Sequence, residues 1–394
     1  MAAFELRWGI ASTGWIAGHF AKESLVDPAT RQVSDIQHRV VAVSSRSIDR
    51  AGAFITEYLG SVGPRPTAYA SLEDLAADET VDAVYIATPN TNHYSNALTC
   101  LNAGKHVLLE KPSTMNARQT AKLFKTAQEQ GRFLMEAHWT HFLPVSAKVR
   151  DIIDSGILGE IKHVDAKYLL DIRSEDLPPD DRYISVATGG GSLLDLGPYA
   201  WVWLYLTAYR ASFGRPNSQD WPLPQIGGAN ITKMMFDLTD RSSDEVDESS
   251  VCSMVFPSPR PNRPGITAFF HTCLAVLPAD DAPCCTVLGS RGKLTIAFPA
   301  SKPEHITLET HDTHRPSKAP SHRKINVKKE SFDFPMPGGC RGFVFEMDEV
   351  ARCIRDGKIE SEVLPGQASV VAMKVFDEIR RQTGLVMLSD EEPL

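Results

Sequence analysis

Apolar residues in the first third of the chain follow two alternating rhythms. Short runs rich in β-branched residues, at Leu6–Ala11, Val40–Ser44, Ala83–Ala87, His106–Glu110 and Phe133–Glu136, read as strands. Between them, Ile16–Glu23, Ile48–Tyr58, Asn92–Ala103 and Ala117–Gln130 carry apolar residues at helical spacing. Strand and helix in strict alternation predict parallel pairing, and so an α/β fold with a doubly wound sheet of the Rossmann type. Gly104 and Gly131 stand where two of those helices end, in the left-handed position glycine favours. Beyond residue 142 the rhythm changes. One helix, Ser146–Ser155, precedes strand-like segments at Lys162–Leu170, Ser250–Phe256, Gly265–Ala275, Ala282–Leu288 and Gly292–Ala297. Few helices separate them, which predicts an α+β domain built on a large, mostly antiparallel open sheet. Helices return at Phe343–Asp356 and Gln367–Gln382. The Pro-, Ser- and His-containing stretches near 210–249 and 299–330 show no period and read as irregular excursions. The expected division is a dinucleotide-binding domain over 1–141 and a substrate-binding and oligomerisation domain over 142–394.

A length of 394 residues suits two packed domains. Forty-one Lys+Arg against 49 Asp+Glu leave a formal charge of −8, and no basic run reaches patch length, so a nucleic-acid partner is not expected. The most apolar run, Ala200–Ala208, is far too short to span a bilayer. The N-terminal residues lack the charged and apolar regions of a secretory signal. Seven scattered cysteines, with no C-x-x-C pair, read as reduced thiols; together these features predict a cytoplasmic protein without a metal site.

The first strand runs into Ser12-Thr13-Gly14-Trp15-Ile16-Ala17. Small residues at such a strand-to-helix turn let backbone amides approach a pyrophosphate, with Gly14 for close approach and Ala17 for packing. The second strand ends in Ser44-Ser45-Arg46, with Arg50 following and no carboxylate to hold a ribose 2′-hydroxyl. Hydroxyls and guanidinium groups suit a 2′-phosphate, so NADP is expected over NAD. The long interval from Gly14 to Ser45 is assigned to a lengthened crossover at Asp27–His38.

Three further segments are more specific. They are Ala87-Thr88-Pro89-Asn90 leading to His93-Tyr94, then Leu109-Glu110-Lys111-Pro112, then Gly189-Gly190-Gly191-Ser192-Leu193-Leu194-Asp195-Leu196-Gly197-Pro198-Tyr199. With Met135-Glu136-Ala137-His138-Trp139-Thr140-His141-Phe142-Leu143-Pro144, they resemble the glucose–fructose oxidoreductase, inositol dehydrogenase and rhizopine catabolism superfamily. The resemblance is strongest to the branch holding dimeric dihydrodiol dehydrogenases and fungal NADP-dependent D-xylose 1-dehydrogenases. Two positions depart from that pattern: Ser12 replaces the first fingerprint glycine, and His141 replaces an arginine.

The resemblance implies a dehydrogenase that oxidises a sugar hydroxyl, with D-xylose at C1 as the expected substrate and trans-dihydrodiols or other cyclic alcohols as the alternative. It implies Tyr199 as general acid/base, Lys111 beside the nicotinamide as the cation that eases phenolate formation, and Asp195 on a substrate hydroxyl. Asp195 and Tyr199, four apart, share one face if a helix begins at Leu194. It carries cofactor contacts to Ser12, Thr13, Gly14, Trp15, Ile16, Ser45, Arg46, Arg50, Thr88, Pro89, Asn90, His93, Glu110, Lys111 and Pro112. Trp139 and His141 are weaker substrate candidates. His138 and His141 lie three apart, but zinc is not expected because no further ligands cluster near them, and the two are read as pointing different ways. A sensor that binds dinucleotide without turnover is the rival from another class. An exposed sheet face in the second domain would favour a homodimer.

Overall fold

The computed structural model describes all residues except 1–2, 61–62, 174–175, 179, 215–220, 235–245, 259, 261, 280, 312–326 and 386–394. Six strands form the first sheet: β1 (Phe4–Ala11), β2 (Ile36–Ser44), β3 (Thr67–Tyr69), β4 (Ala83–Ile86), β5 (His106–Glu110) and β6 (Leu134–Ala137). They pair in the order β3-β2-β1-β4-β5-β6, each pair parallel, which is the Rossmann order. Helices α1 (Trp15–Glu23), α2 (Ile48–Tyr58), α3 (Leu72–Ala77), α4 (His93–Asn102) and α5 (Ala117–Glu129) accompany these strands. Every residue of β4 is buried, as a strand packed on both faces requires. The expected strands are present, with two refinements. β2 starts at Ile36, so a Pro28–Arg31 turn and a longer strand together fill the interval that the sequence assigns to crossover alone. Short β3 and α3 add a unit that carries no clear period.

The second sheet follows α6 (Pro144–Ser155). Its strands are β7 (Ile161–Leu169), β8 (Gln225–Lys233), β9 (Asp247–Phe256), β10 (Ile266–Cys273), β11 (Pro283–Gly289), β12 (Gly292–Ala297), β13 (His305–His311) and β14 (Val327–Asp333). They pair in the order β14-β13-β12-β11-β7-β10-β9-β8; β7 and β10 run parallel and the other neighbours antiparallel. The reading of 210–249 and 299–330 as irregular is corrected here. The first contains a helical turn and β8, and the second contains β13 and the start of β14; 215–220, 235–245 and 312–326 lie outside the described residues. Alternation in the central strands buries one face and leaves Val251, Val255, Phe269 and Leu288 exposed on the other.

Between β7 and β8 run α7 (Ser192–Asp195), α8 (Gly197–Leu204) and α9 (Arg210–Phe213). Residues of α8 are all buried, and the helix packs on β7, β10 and β11. The chain then returns to the first sheet. Helix α10 (Phe343–Arg355) packs against β1 and β2, and α11 (Gly366–Thr383) against α5 and β6. One buried apolar cluster accordingly runs through both lobes, from Leu6, Trp8 and Phe20 through Phe343 to Tyr199 and Phe270. Polar ties reinforce that return. Buried Arg31 donates to Asp348 at 2.7 and 2.9 Å, and His38 Nε2 lies 2.9 Å from the same carboxylate.

Candidate active site

At the C-terminal end of β1 the backbone turns sharply. Ser12 takes φ 131°, a conformation that glycine adopts freely and a β-carbon does not, so the first fingerprint position keeps its geometry at a cost of about 1–3 kcal/mol. Its hydroxyl accepts from the Gly14 N–H at 3.2 Å, and its own N–H donates to Ser44 O at 3.1 Å. Thr13 Oγ1 and Ser45 Oγ lie 3.2 Å apart, which ties the ends of β1 and β2 together. Helix α1 then begins with Gly14 as an extended cap, no side-chain cap bond and no acidic residue in its first turn. An added Cβ at Gly14 would meet only Ser12 Oγ, at 3.5 Å, so the turn is open from outside. Uncapped amides at a helix N-terminus, with exposed Arg46 and Arg50 beyond the end of β2, fit the charge and shape of a dinucleotide.

The turn after β4 forms the next wall. Asn90 Nδ2 donates to Gly189 O at 3.0 Å and Thr91 Oγ1 to Ala187 O at 3.0 Å, which fastens the first lobe to the loop before α7. Asn96 Nδ2 donates to Thr88 Oγ1 at 3.0 Å, and Pro89 is exposed. His93 is turned inward. Its two ring nitrogens lie 2.8 Å from Pro112 O and 2.9 Å from Thr88 O, and burial, opposed by those carbonyls, pulls its pKa down to about 4. A neutral ring donates to one of these carbonyls, so His93 ties one of the two loops by a hydrogen bond and packs against the other.

Lys111 leaves the end of β5 and meets the second lobe. Its Nζ donates to Asp195 O at 2.7 Å and Asp195 Oδ1 at 3.2 Å, and lies 4.9 Å from the centre of the Tyr199 ring. The three residues singled out from the sequence therefore converge. Their support differs from the expected continuous helix: α7 ends at Asp195 and α8 restarts at Gly197, with Leu196 between. Asp247 fixes this corner, accepting from Ser192 Oγ at 2.5 Å, Leu193 N–H at 2.8 Å and Ser250 Oγ at 2.8 Å.

Electrostatics divide the cluster. Burial pushes the Asp195 carboxyl up, but Lys111 and half-exposed Arg182, whose Nη1 donates to Oδ1 at 3.0 Å, hold it at about 2. Tyr199 is held well above 10 by burial and by nearby Glu110, Tyr168 and Asp195. Lys111 lies over the face of that ring and directs its hydrogen bonds to Asp195. Behind Lys111, buried Glu110 accepts from Tyr85 Oη at 2.5 Å and from the Lys111 N–H at 3.2 Å, while burial raises its pKa to about 7. Glu346 is fully buried, neither of its oxygens has a partner among the described residues, and burial, with Glu110 and Glu23 nearby, pushes its pKa well above the usual carboxyl range.

Trp139 and His141 are placed behind Tyr199. Trp139 is 6% exposed, donates Nε1–H to Ser301 O at 2.8 Å and packs on Tyr199 and Phe343, so no open face awaits a sugar ring. His138 and His141 do not point apart, as a continuing strand would have placed them: their rings meet edge to face at 4.9 Å. Trp139–Phe142 is a 3₁₀ turn, whose three-residue period aligns positions three apart. Burial, with Lys111 adding, pulls His138 to about 3, and His138 also packs on the Tyr199 ring at 5.2 Å. No group of three metal-ligating side chains occurs among the described residues. Arg182 was not singled out from the sequence; it lies in a loop without period, and its partner Asp195 is visible only once the chain is folded.

A strand-to-helix turn with uncapped amides, together with a buried ammonium, carboxylate and phenol brought together from both lobes, fits an NAD(P)-dependent oxidoreductase acting on a CH–OH group. The chain belongs to the oxidoreductase family with an NAD-binding Rossmann fold, whose model matches residues 6–138, and the GFO/IDH/MocA C-terminal domain matches residues 146–295. It is 34% identical to the D-xylose 1-dehydrogenase (NADP(+)) of Hypocrea jecorina, over 97% of this chain and 93% of the relative. It is 28% identical to the trans-1,2-dihydrobenzene-1,2-diol dehydrogenase of Macaca fuscata fuscata, over 98% and 99%. A 3-ketoreductase from Actinomadura kijaniata, solved in complex with NADP and TDP-benzene, shares the fold with a TM-score of 0.70 at 23% identity, covering 96% of this chain and 98% of that one. No helix among the described residues is long and apolar enough to cross a membrane.

Proposed function

We propose that the protein oxidises a sugar hydroxyl with NADP as hydride acceptor, with D-xylose converted to its lactone at C1. The convergence of Lys111, Asp195 and Tyr199 where β5 meets α7 and α8 carries this reading. The nicotinamide ring, when bound, supplies the hydride acceptor. Asp195, kept ionised by Lys111 and Arg182, accepts a hydrogen bond from a substrate hydroxyl and holds the carbinol in place. Tyr199, as its phenolate, takes the hydroxyl proton, and the Lys111 ammonium over its ring lowers the cost of that phenolate while holding Asp195 in place. Ser45, Arg46 and Arg50 supply hydroxyl and guanidinium donors for a 2′-phosphate at a strand end that lacks a carboxylate, which supports NADP over NAD. The similarity to the fungal D-xylose 1-dehydrogenase supports the sugar, and that to the dihydrodiol dehydrogenases supports cyclic alcohols as the second reading.

A second copy of the chain covers the exposed face bearing Val251, Val255, Phe269 and Leu288, giving a homodimer. Sedimentation showing only monomer at micromolar concentration contradicts it. Seven free, buried thiols suit the reducing cytoplasm. The function is tested by mixing the purified protein with NADP or NAD and a panel of pentoses, hexoses and trans-dihydrodiols while following reduced-cofactor absorbance. Turnover with D-xylose and NADP is expected. Cofactor binding without turnover on any substrate refutes the enzyme reading in favour of a sensor.

A further inference from the structure

Trp15 is the first residue of α1 and leaves 62% of its surface exposed, an unusual position for an indole at a turn otherwise built from small residues. The second lobe reaches it. Buried Glu23, at the other end of α1, accepts from the main-chain N–H groups of Arg341 at 2.6 Å, Gly342 at 3.2 Å and Val344 at 3.3 Å. Gly342 sits at φ 130°, and a Cβ there would come within 2.7 Å of Leu143, so this loop has one backbone path. From that anchor the Arg341 side chain runs back along α1 until its guanidinium lies 4.6 Å from the centre of the Trp15 ring. His19, one turn into the helix, closes the edge of the indole at 4.4 Å.

We infer that Arg341 is a dinucleotide-binding residue contributed by the second lobe, holding the pyrophosphate over the N-terminus of α1 while Trp15 serves as the platform that aims it. The inference rests on the oxidoreductase reading above. Three features argue for it. A guanidinium lying on an aromatic ring keeps its edge N–H groups free to fork onto phosphate oxygens. The first turn of α1 has open amides and no acidic side chain, so nothing there competes with an anion. The cation belongs to the segment leading into α10, so cofactor contact and the joining of the two lobes pass through the same short stretch of chain.

Pyrophosphate is common to both dinucleotides, whereas the 2′-phosphate is not, and that separates Arg341 from Arg46. Calorimetric titration of the full chain with NADP and with NAD, without substrate, is the test. Arg341→Ala is expected to raise Kd about tenfold for both, and Arg341→Lys by less, because charge is kept and the flat fork lost. Trp15→Phe is expected to abolish most of the tryptophan-fluorescence change on NADP addition. The pins to Glu23 are main-chain bonds, so Arg341→Ala should unfold at the wild-type temperature. Unchanged Kd for both dinucleotides in a folded Arg341→Ala overturns the inference, and so does a loss confined to NADP, which would move the contact to the 2′-phosphate. Wild-type protein that binds neither dinucleotide overturns the cofactor reading beneath it.

Discussion

Replacing Lys111 by methionine removes one ammonium and little volume, and its consequences follow from Asp195. That carboxyl titrates at about 2 in the folded protein, although burial alone would raise it, because Lys111 and Arg182 both lie against it. Relative to an unfolded Asp near 3.9, the shift stabilises the native state by roughly 2.6 kcal/mol. The contribution is complete above about pH 4 and disappears as pH falls through 2, since the folded value is the lower one. In Lys111→Met only Arg182 remains, half-exposed and screened by solvent, while the burial that opposes ionisation is unchanged. The folded carboxyl then titrates above its unfolded value, and the sign reverses: stability now decreases as pH rises past about 4. Urea unfolding from pH 4 to 8 should show the variant losing about 2–4 kcal/mol against wild type by neutrality, with the gap widening upward. NADP affinity should barely change, while turnover should drop roughly 10²–10⁴-fold, the range associated with positioned proton-transfer groups. A variant with parallel pH–stability curves would show that Lys111 does not hold Asp195 ionised. An undiminished rate would remove it from the reaction.

Other substitutions probe the rest of the site. Glu110 titrates at about 7, above its unfolded value near 4.3, so its cost to stability is absent below about pH 4 and grows to roughly 3–4 kcal/mol by pH 7. Glu110→Gln should therefore gain on wild type by about that amount across this window; a constant difference in unfolding midpoints would refute the assignment. Oxidation should climb with pH between about 7 and 10, because burial holds the Tyr199 phenol well above 10 and only its phenolate accepts the substrate proton. Tyr199→Phe should lose both the activity and the climb, and a surviving climb in kcat would point to another base. Arg46→Ala should raise KM for NADP far more than for NAD, whereas equal increases would reject the 2′-phosphate contact.

Where the sequence was informative, physical reasons are visible, and so they are where it was silent. The first sheet was legible because β1, β4 and β5 are short runs of buried apolar residues separated by amphipathic helices. β8, by contrast, carries two adjacent glycines and lies at the edge of its sheet, where little apolar burial shapes the pattern. β13 does alternate, as His-Ile-Thr-Leu-Glu-Thr-His, but the Pro- and His-containing flank obscured seven residues of regular pattern. Lys111, Asp195 and Tyr199 stood out because each sits in a motif beside a strand end or helix start. Arg182 and Arg341 did not, since what distinguishes each is a neighbour 13 residues away or more along the chain. The meeting of His138 and His141 depended on a 3₁₀ turn where a strand end was expected.

The return of α10 onto β1 and β2 bears on how the molecule is made. During synthesis the N-terminal part emerges with Trp8, Phe20 and Tyr85 in a surface whose cover, Phe343, has yet to leave the ribosome. That part must wait, its sticky flank uncovered, while the whole second sheet is being made. Shortening the polypeptide from its far end would accordingly injure the part made first.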